Sequence, residues 1–185
     1  MFYCVRVRGA VPPTVTYMVH VFAGFRREGD LEWWLVKLAA EMGVRIFVAS
    51  IDLPHGWNLE DPATVAILVE CISLGLVDFL IGGPPCATWS VRRFIRPGPR
   101  PLRFRGKWAW GRPDLSPREW AKVKTANALM FTFLTLAELV AKTGGGVLLE
   151  HPADPMEEPK PSIFATEELE QWLLRIRGEI LVLDQ

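Results

Sequence analysis

Apolar and polar positions fall in blocks along this chain, not in strict alternation. Val15 to Phe22 and Val44 to Ile51 are apolar, β-branched runs of the kind that form strands buried on both faces. The segment between them, Asp30 to Met42, predicts a helix that Asp30 caps and Gly43 ends. A second helix is predicted from Asp61-Pro62, an N-cap followed by proline at the first helical position, to near Gly75, and a strand over Val77 to Ile81 follows. Ser116-Pro117-Arg118-Glu119 is a capping box that opens a long helix terminated by Gly144 to Gly146. Then come a strand at Val147 to Glu150, a Pro-rich loop, a short helix from about Thr166 and a last strand at Ile180 to Leu183. Such β-α-β alternation predicts one α/β domain over residues 1–185, a mostly parallel sheet with helices on both faces.

Composition narrows this picture. A chain of 185 residues, half of them hydrophobic, buries one full core. Cys4, Cys71 and Cys86 are widely spaced and odd in number, so neither a disulfide framework nor a zinc site is indicated and a reducing compartment fits. Arg6, Arg8 and Pro12-Pro13 interrupt the apolar stretch that a secretory signal needs. Ala128 to Val140, the most apolar segment, is short for a membrane span and carries Glu138, so the expectation is an intracellular protein, nuclear or cytoplasmic.

Gly82-Gly83-Pro84-Pro85-Cys86-Ala87-Thr88-Trp89-Ser90 follows the predicted strand Val77 to Ile81 directly. Two glycines free the backbone and two prolines fix it, which delivers Cys86 at the carboxyl end of a strand, where α/β enzymes keep their chemistry. An inert buried thiol is the plain alternative. The net charge of zero hides a basic stretch within residues 91–114, where Arg92, Arg93, Arg96, Arg100, Arg103, Arg105, Lys107 and Arg112 precede Asp114 with no acid among them. Trp108 and Trp110 are interleaved with these cations and offer rings on which bases can stack. The prolines and glycines of the stretch forbid a long helix, so the cations are expected on an irregular loop beside Cys86, binding phosphates, with a solvated surface loop as the alternative.

The order Phe22-Ala23-Gly24, Asp52, Gly82-Gly83-Pro84-Pro85-Cys86 with Ser90, and Glu150 resembles the motifs of the DNA cytosine-5 methyltransferases over nearly the whole chain. The resemblance implies a Rossmann-like class I methyltransferase fold, S-adenosylmethionine as cofactor and DNA as partner. It makes Cys86 the nucleophile on C6 of a flipped-out cytosine and Glu150 the acid that hydrogen-bonds N3 and the exocyclic amine. Phe22, Gly24, Asp52, Asn58 and Pro84 become the cofactor contacts, with Asp52 on the ribose hydroxyls and Asn58 on the adenine. Ser90, Arg92, Arg93, Arg96, Arg100, Arg103 and Arg105 become the nucleic-acid contacts. Taken without the resemblance, Asp52 is a strand-end cap, Asn58 a turn residue and Gly24 a strand-ending turn.

Several positions depart from the family. Gly24 is followed by Phe25-Arg26-Arg27-Glu28-Gly29-Asp30 in place of further closely spaced glycines, and Glu150 by His151-Pro152, where His151 is expected to be a plain loop histidine. The chain reaches Gln185 directly after the last predicted strand, short of the family's target-recognition region and C-terminal element. Glu150 to Pro155 and Gly98 to Pro101 look more like the divergent methyltransferase-like segments of eukaryotic retroelement polyproteins, in which neighbouring domains would share DNA binding. Two alternatives stand beside methyl transfer: an inactive methyltransferase-like DNA-binding module or fragment of a larger polyprotein, and another Rossmann-like enzyme with a nucleotide cofactor and a structural cysteine.

Overall fold

The computed structural model describes residues 2–6 and 15–183. Four strands form a parallel sheet: β2 (Thr16–Val21), β3 (Ile46–Ile51), β4 (Phe79–Gly82) and β5 (Gly146–Leu149), in the order β3-β2-β4-β5, while β1 (Phe2–Arg6) lies in a second sheet. Val21 stands opposite both Ile51 and Gly82, and Gly82 opposite Leu149, so all four carboxyl ends finish at one level.

Helix α1 (Leu31–Glu41) joins β2 to β3, α2 (Pro62–Ser73) joins β3 to β4, and α3 (Pro117–Lys142) leads into β5. The step from β2 to β3 runs one way across the sheet and the later steps run the other, so right-handed crossovers put α1 on one face and α2 with α3 on the opposite face. The reversal makes a topological switch point between β2 and β4. Val19, Val21, Leu80, Val147 and Leu149 of the sheet pack with Leu68 and Ile72 of α2 and with Phe133, Ala137 and Val140 of α3 in the core.

The predicted caps form. Asp30 accepts from the Trp33 N–H at 2.8 Å, Asp61 from the Ala63 N–H at 3.0 Å, and Ser116 and Glu119 close a reciprocal box. Helix α3 runs well beyond the apolar segment Ala128 to Val140 and is, by length and composition, the one described helix able to cross a membrane. In the fold it is the central core helix, with Val123, Met130, Phe133, Leu136 and Val140 buried.

The last strand corrects the sequence-based expectation. Helix α4 (Glu167–Ile176) docks on α3, the Trp172 indole N–H donating to the Leu134 carbonyl at 2.9 Å, and Arg177 ends it in a left-handed conformation (φ 53°). The chain therefore turns back, and β7 (Glu179–Leu183) pairs antiparallel with β1 and not with the parallel sheet. On its other side β1 pairs with the two-residue strand β6 (His151–Pro152), giving a separate sheet in the order β6-β1-β7.

Candidate functional site

Two neighbouring glycines shape the site at the end of β4. A Cβ on Gly82 would stand 2.6 Å from Val21 Cγ2 and 2.7 Å from Phe133 Cε2, so the lack of a side chain lets α3 close on the sheet. A Cβ on Gly83 would instead collide with the Glu150 carboxylate, which occupies that space. Glu150 leaves β5 with its N–H donating to the Gly82 carbonyl at 2.9 Å, which sets its backbone beside the glycines.

The turn after Gly83 is rooted in the core. Pro84 is buried, and the Trp89 N–H donates to the Cys86 carbonyl at 2.8 Å. Trp89 is buried edge-on to Trp110 and His151, with ring centroids at 5.3 and 5.9 Å. Above this anchor Cys86 remains half-buried with a free thiol. Burial pushes the thiol pKa up and the nearby Glu150 charge pushes it further, so Cys86 is held protonated in the free protein. Burial also raises the Glu150 pKa, which favours the acid form that donates a hydrogen bond.

Across the switch point, Asp52 ties the ends of β2 and β3 together. Its Oδ2 accepts from the Gly24 N–H at 2.8 Å and its Oδ1 from the Leu53 N–H at 2.7 Å, while the His55 Nε2 lies 2.8 Å from the Gly24 carbonyl. Asp52 is thus a strand-end cap, and each of its oxygens keeps a lone pair for a further donor. Gly24 needs its residue type: its φ is +67°, and nothing lies within 4 Å of where a side chain would begin. Phe22 is half-buried, its ring 6.5 Å from that of Phe133. Asn58 closes a turn by accepting from the Glu60 N–H at 3.0 Å. Where the family has further glycines, Arg26 pairs with Asp30 at 2.7 Å and with Glu32, and the Ser50 hydroxyl donates to Glu32. His20 lies under this charged set and burial lowers its pKa.

The basic loop is more structured than its composition implies, with short 3-10 turns at Val91–Phe94, capped by Ser90, and at Gly106–Trp108. Arg103 is corrected outright: it is fully buried and cannot reach a phosphate. Its guanidinium lies 4.1 Å over the Trp89 ring and donates to Thr88 Oγ1 and the Ala109 carbonyl at 3.0 and 2.8 Å, and burial lowers its pKa to about 9. Arg100 pairs with Glu119 at 2.9 Å and Arg105 with Asp154 in a fork of 2.6 and 2.8 Å, so both serve internal contacts. Arg92, Arg93 and Arg96 make no ion pair among the described residues, and Arg92 and Arg96 are exposed.

His151 is also corrected, from a plain loop residue to a core one. It is 1% exposed, its ring packs edge-on to Trp89 and Phe164, neither ring nitrogen has a hydrogen-bond partner, and burial lowers its pKa to about 3. The sequence does not single out His55, whose one signal is its position three residues after Asp52. No described cluster of His, Cys, Asp or Glu has the makeup of a metal site.

Fold and site together define an α/β protein with a four-stranded parallel sheet, a thiol in the turn after β4 and a carboxyl group just past the end of β5. No family model, curated protein or solved structure matches the chain.

Proposed function

We propose that the protein methylates C5 of cytosine in DNA, using S-adenosylmethionine and a covalent intermediate at Cys86. The observation that carries this reading is the Glu150 carboxylate lying over Gly83, three residues before Cys86, at the carboxyl ends of β4 and β5. The free acceptor sites of Asp52 and the open space at Gly24 suit a nucleoside at the switch point. The cofactor supplies the methyl group as an electrophile.

The protein's own groups do the rest. Glu150 in its acid form gives its proton to N3 as the Cys86 Sγ attacks C6 of an extruded cytosine, and the thiol proton passes to the resulting Glu150 carboxylate directly or through water. The electron pair displaced from C5=C6 makes C5 the nucleophile that takes the methyl group. Loss of the C5 proton to solvent restores the double bond and expels Sγ, and the proton on N3 returns through Glu150 to the leaving thiolate. A half-buried thiol whose proton is held is protected from off-pathway chemistry.

The test is covalent trapping by DNA that contains 5-fluorocytosine, where fluorine replaces the proton that must leave. Wild type should form the adduct and Cys86→Ser none; a protein that binds DNA and cofactor yet forms no Cys86-dependent adduct refutes methyl transfer. The closed Arg26–Glu32–Ser50 contacts favour a second reading, an inactive DNA-binding module, for which the cofactor produces no thermal shift.

A further inference from the structure

We infer that a cavity on the outer side of the Cys86 turn binds the nucleotide next to the target cytosine on the same strand, its phosphate between Arg93 and Lys122. This rests on the nucleic-acid substrate proposed above and adds a subsite to it. The cavity, of about 560 Å³, lies between the turn and the first half of α3, bounded by Pro85 and Ala87 on one side and by Ala121 and Thr125 on the other. Its volume is within the roughly 300–1,000 Å³ typical of small-ligand sites. Pro85 and Ala87 are the immediate neighbours of Cys86, which does not itself line the cavity, so cavity and thiol are separated by a single turn of chain.

Chemistry selects the ligand. Ala121 and Thr125 are one helical turn apart, and their small side chains leave the wall of α3 flat. A flat, largely apolar wall suits the face of a base or sugar. Two cations and no acid line the cavity. Arg93 is already oriented, its Nε donating to the Ala87 carbonyl at 2.8 Å and its Nη1 to the Arg100 carbonyl at 3.2 Å, which leaves its Nη2 for an incoming anion. Neither Arg93 nor Lys122 has an ion-pair partner among the described residues, whereas Arg100, Arg105 and Arg112 all do. Positive charge is therefore compensated at Arg100, Arg105 and Arg112 and left uncompensated at Arg92, Arg93 and Arg96, in the part of the loop that adjoins the Cys86 turn. An anionic group attached to a flat apolar body is a nucleotide, and the partner's position beside Cys86 makes it the target's neighbour.

The experiment is fluorescence anisotropy of the full chain with a labelled single-stranded DNA pentamer that has cytosine at its centre. Lys122→Glu reverses one charge and Thr125→Trp fills the cavity; both side chains are exposed on α3, and Lys124→Glu is the charge-matched control outside the cavity. Lys122→Glu should bind about tenfold more weakly, the loss expected for one charge-assisted contact, and Thr125→Trp at least as weakly because the indole takes the base's place, while Lys124→Glu stays within about twofold. Competition by the same pentamer made of RNA tells which sugar the cavity takes, and weaker binding of either strand by both variants supports the subsite. Wild-type affinity in Lys122→Glu and in Thr125→Trp overturns it, as does an equal loss in Lys124→Glu, which would mean diffuse attraction. If the cavity variants lose binding while wild type forms no 5-fluorocytosine adduct, the subsite stands and methyl transfer falls. If Thr125→Trp binds and forms adduct like wild type, the reverse holds.

Discussion

Gly83→Ala isolates the position of Glu150 from everything else in the site. The backbone at Gly83 is outside the left-handed region, so alanine is allowed there, but its Cβ would overlap the Glu150 carboxyl oxygen. Ordinary van der Waals separation then requires the carboxyl to move by about 1 Å. The obstructed atom is the end of a flexible side chain, so the cost in stability is small, below about 1 kcal/mol. A displacement of about 1 Å in a group that must meet N3 lowers the rate by about 100-fold. Gly82→Ala is the matched control, because its Cβ meets Val21 and Phe133 in the core and costs about 1–3 kcal/mol. Adduct formation and melting temperature measured together on both variants give opposite patterns: Gly83→Ala slow but as stable as wild type, Gly82→Ala several degrees less stable. Wild-type adduct rates in a folded Gly83→Ala protein would refute the placement of Glu150 in the chemistry.

His151 keeps its neutral form down to about pH 3 in the fold, whereas an unfolded histidine protonates near 6.5, so stability falls as pH drops through that window, by about 2 kcal/mol from pH 7 to pH 5; denaturant unfolding of His151→Phe should lack this component. Arg103→Met strands the Ala109 carbonyl and the Thr88 hydroxyl and should cost about 3 kcal/mol, a fall of roughly 6–12 °C in melting temperature, while the salt slope of DNA binding by the folded protein stays unchanged. Removing Arg92 and Arg96 should do the opposite, flattening that slope by about 0.9 for each phosphate that is no longer neutralised. Asp52→Asn should abolish any thermal shift given by S-adenosylmethionine, and an equal shift in wild type and variant removes Asp52 from the site.

The helix starts are legible in the sequence because a cap is decided within four residues: Asp30, Asp61-Pro62 and Ser116 to Glu119 carry their own partners. The parallel strands are legible because burial on both faces leaves an unbroken apolar run. Pairing of β7 with β1 is not, since its partner strand lies at the other end of the chain and the approach follows the docking of Trp172 and the reversal at Arg177. The basic loop shows the same limit at the level of single residues. Arg92 and Arg103 are the same residue type in the same stretch, yet one is exposed and the other is buried by Thr88, Trp89 and Ala109, partners that only the folded chain supplies. Of the tryptophans interleaved with the arginines, Trp110 is half-buried and packs on Trp89 and Phe131, which leaves only part of its ring for a base.

Glu150 is the residue at which one strand changes sheets, parallel to β4 through Leu149 and antiparallel to β1 from His151. It is therefore a joint between two lamellae whose other strands run in different directions. A rotation of the β6-β1-β7 sheet by a few degrees would turn the Glu150 peptide directly, whereas it would reach Cys86 only through the His151 ring that packs on Trp89. Force applied to the antiparallel sheet would reach the carboxyl through the backbone and the thiol only through side-chain packing, so the gap between carboxyl and thiol is the mechanical coordinate that anything attached to that sheet would change.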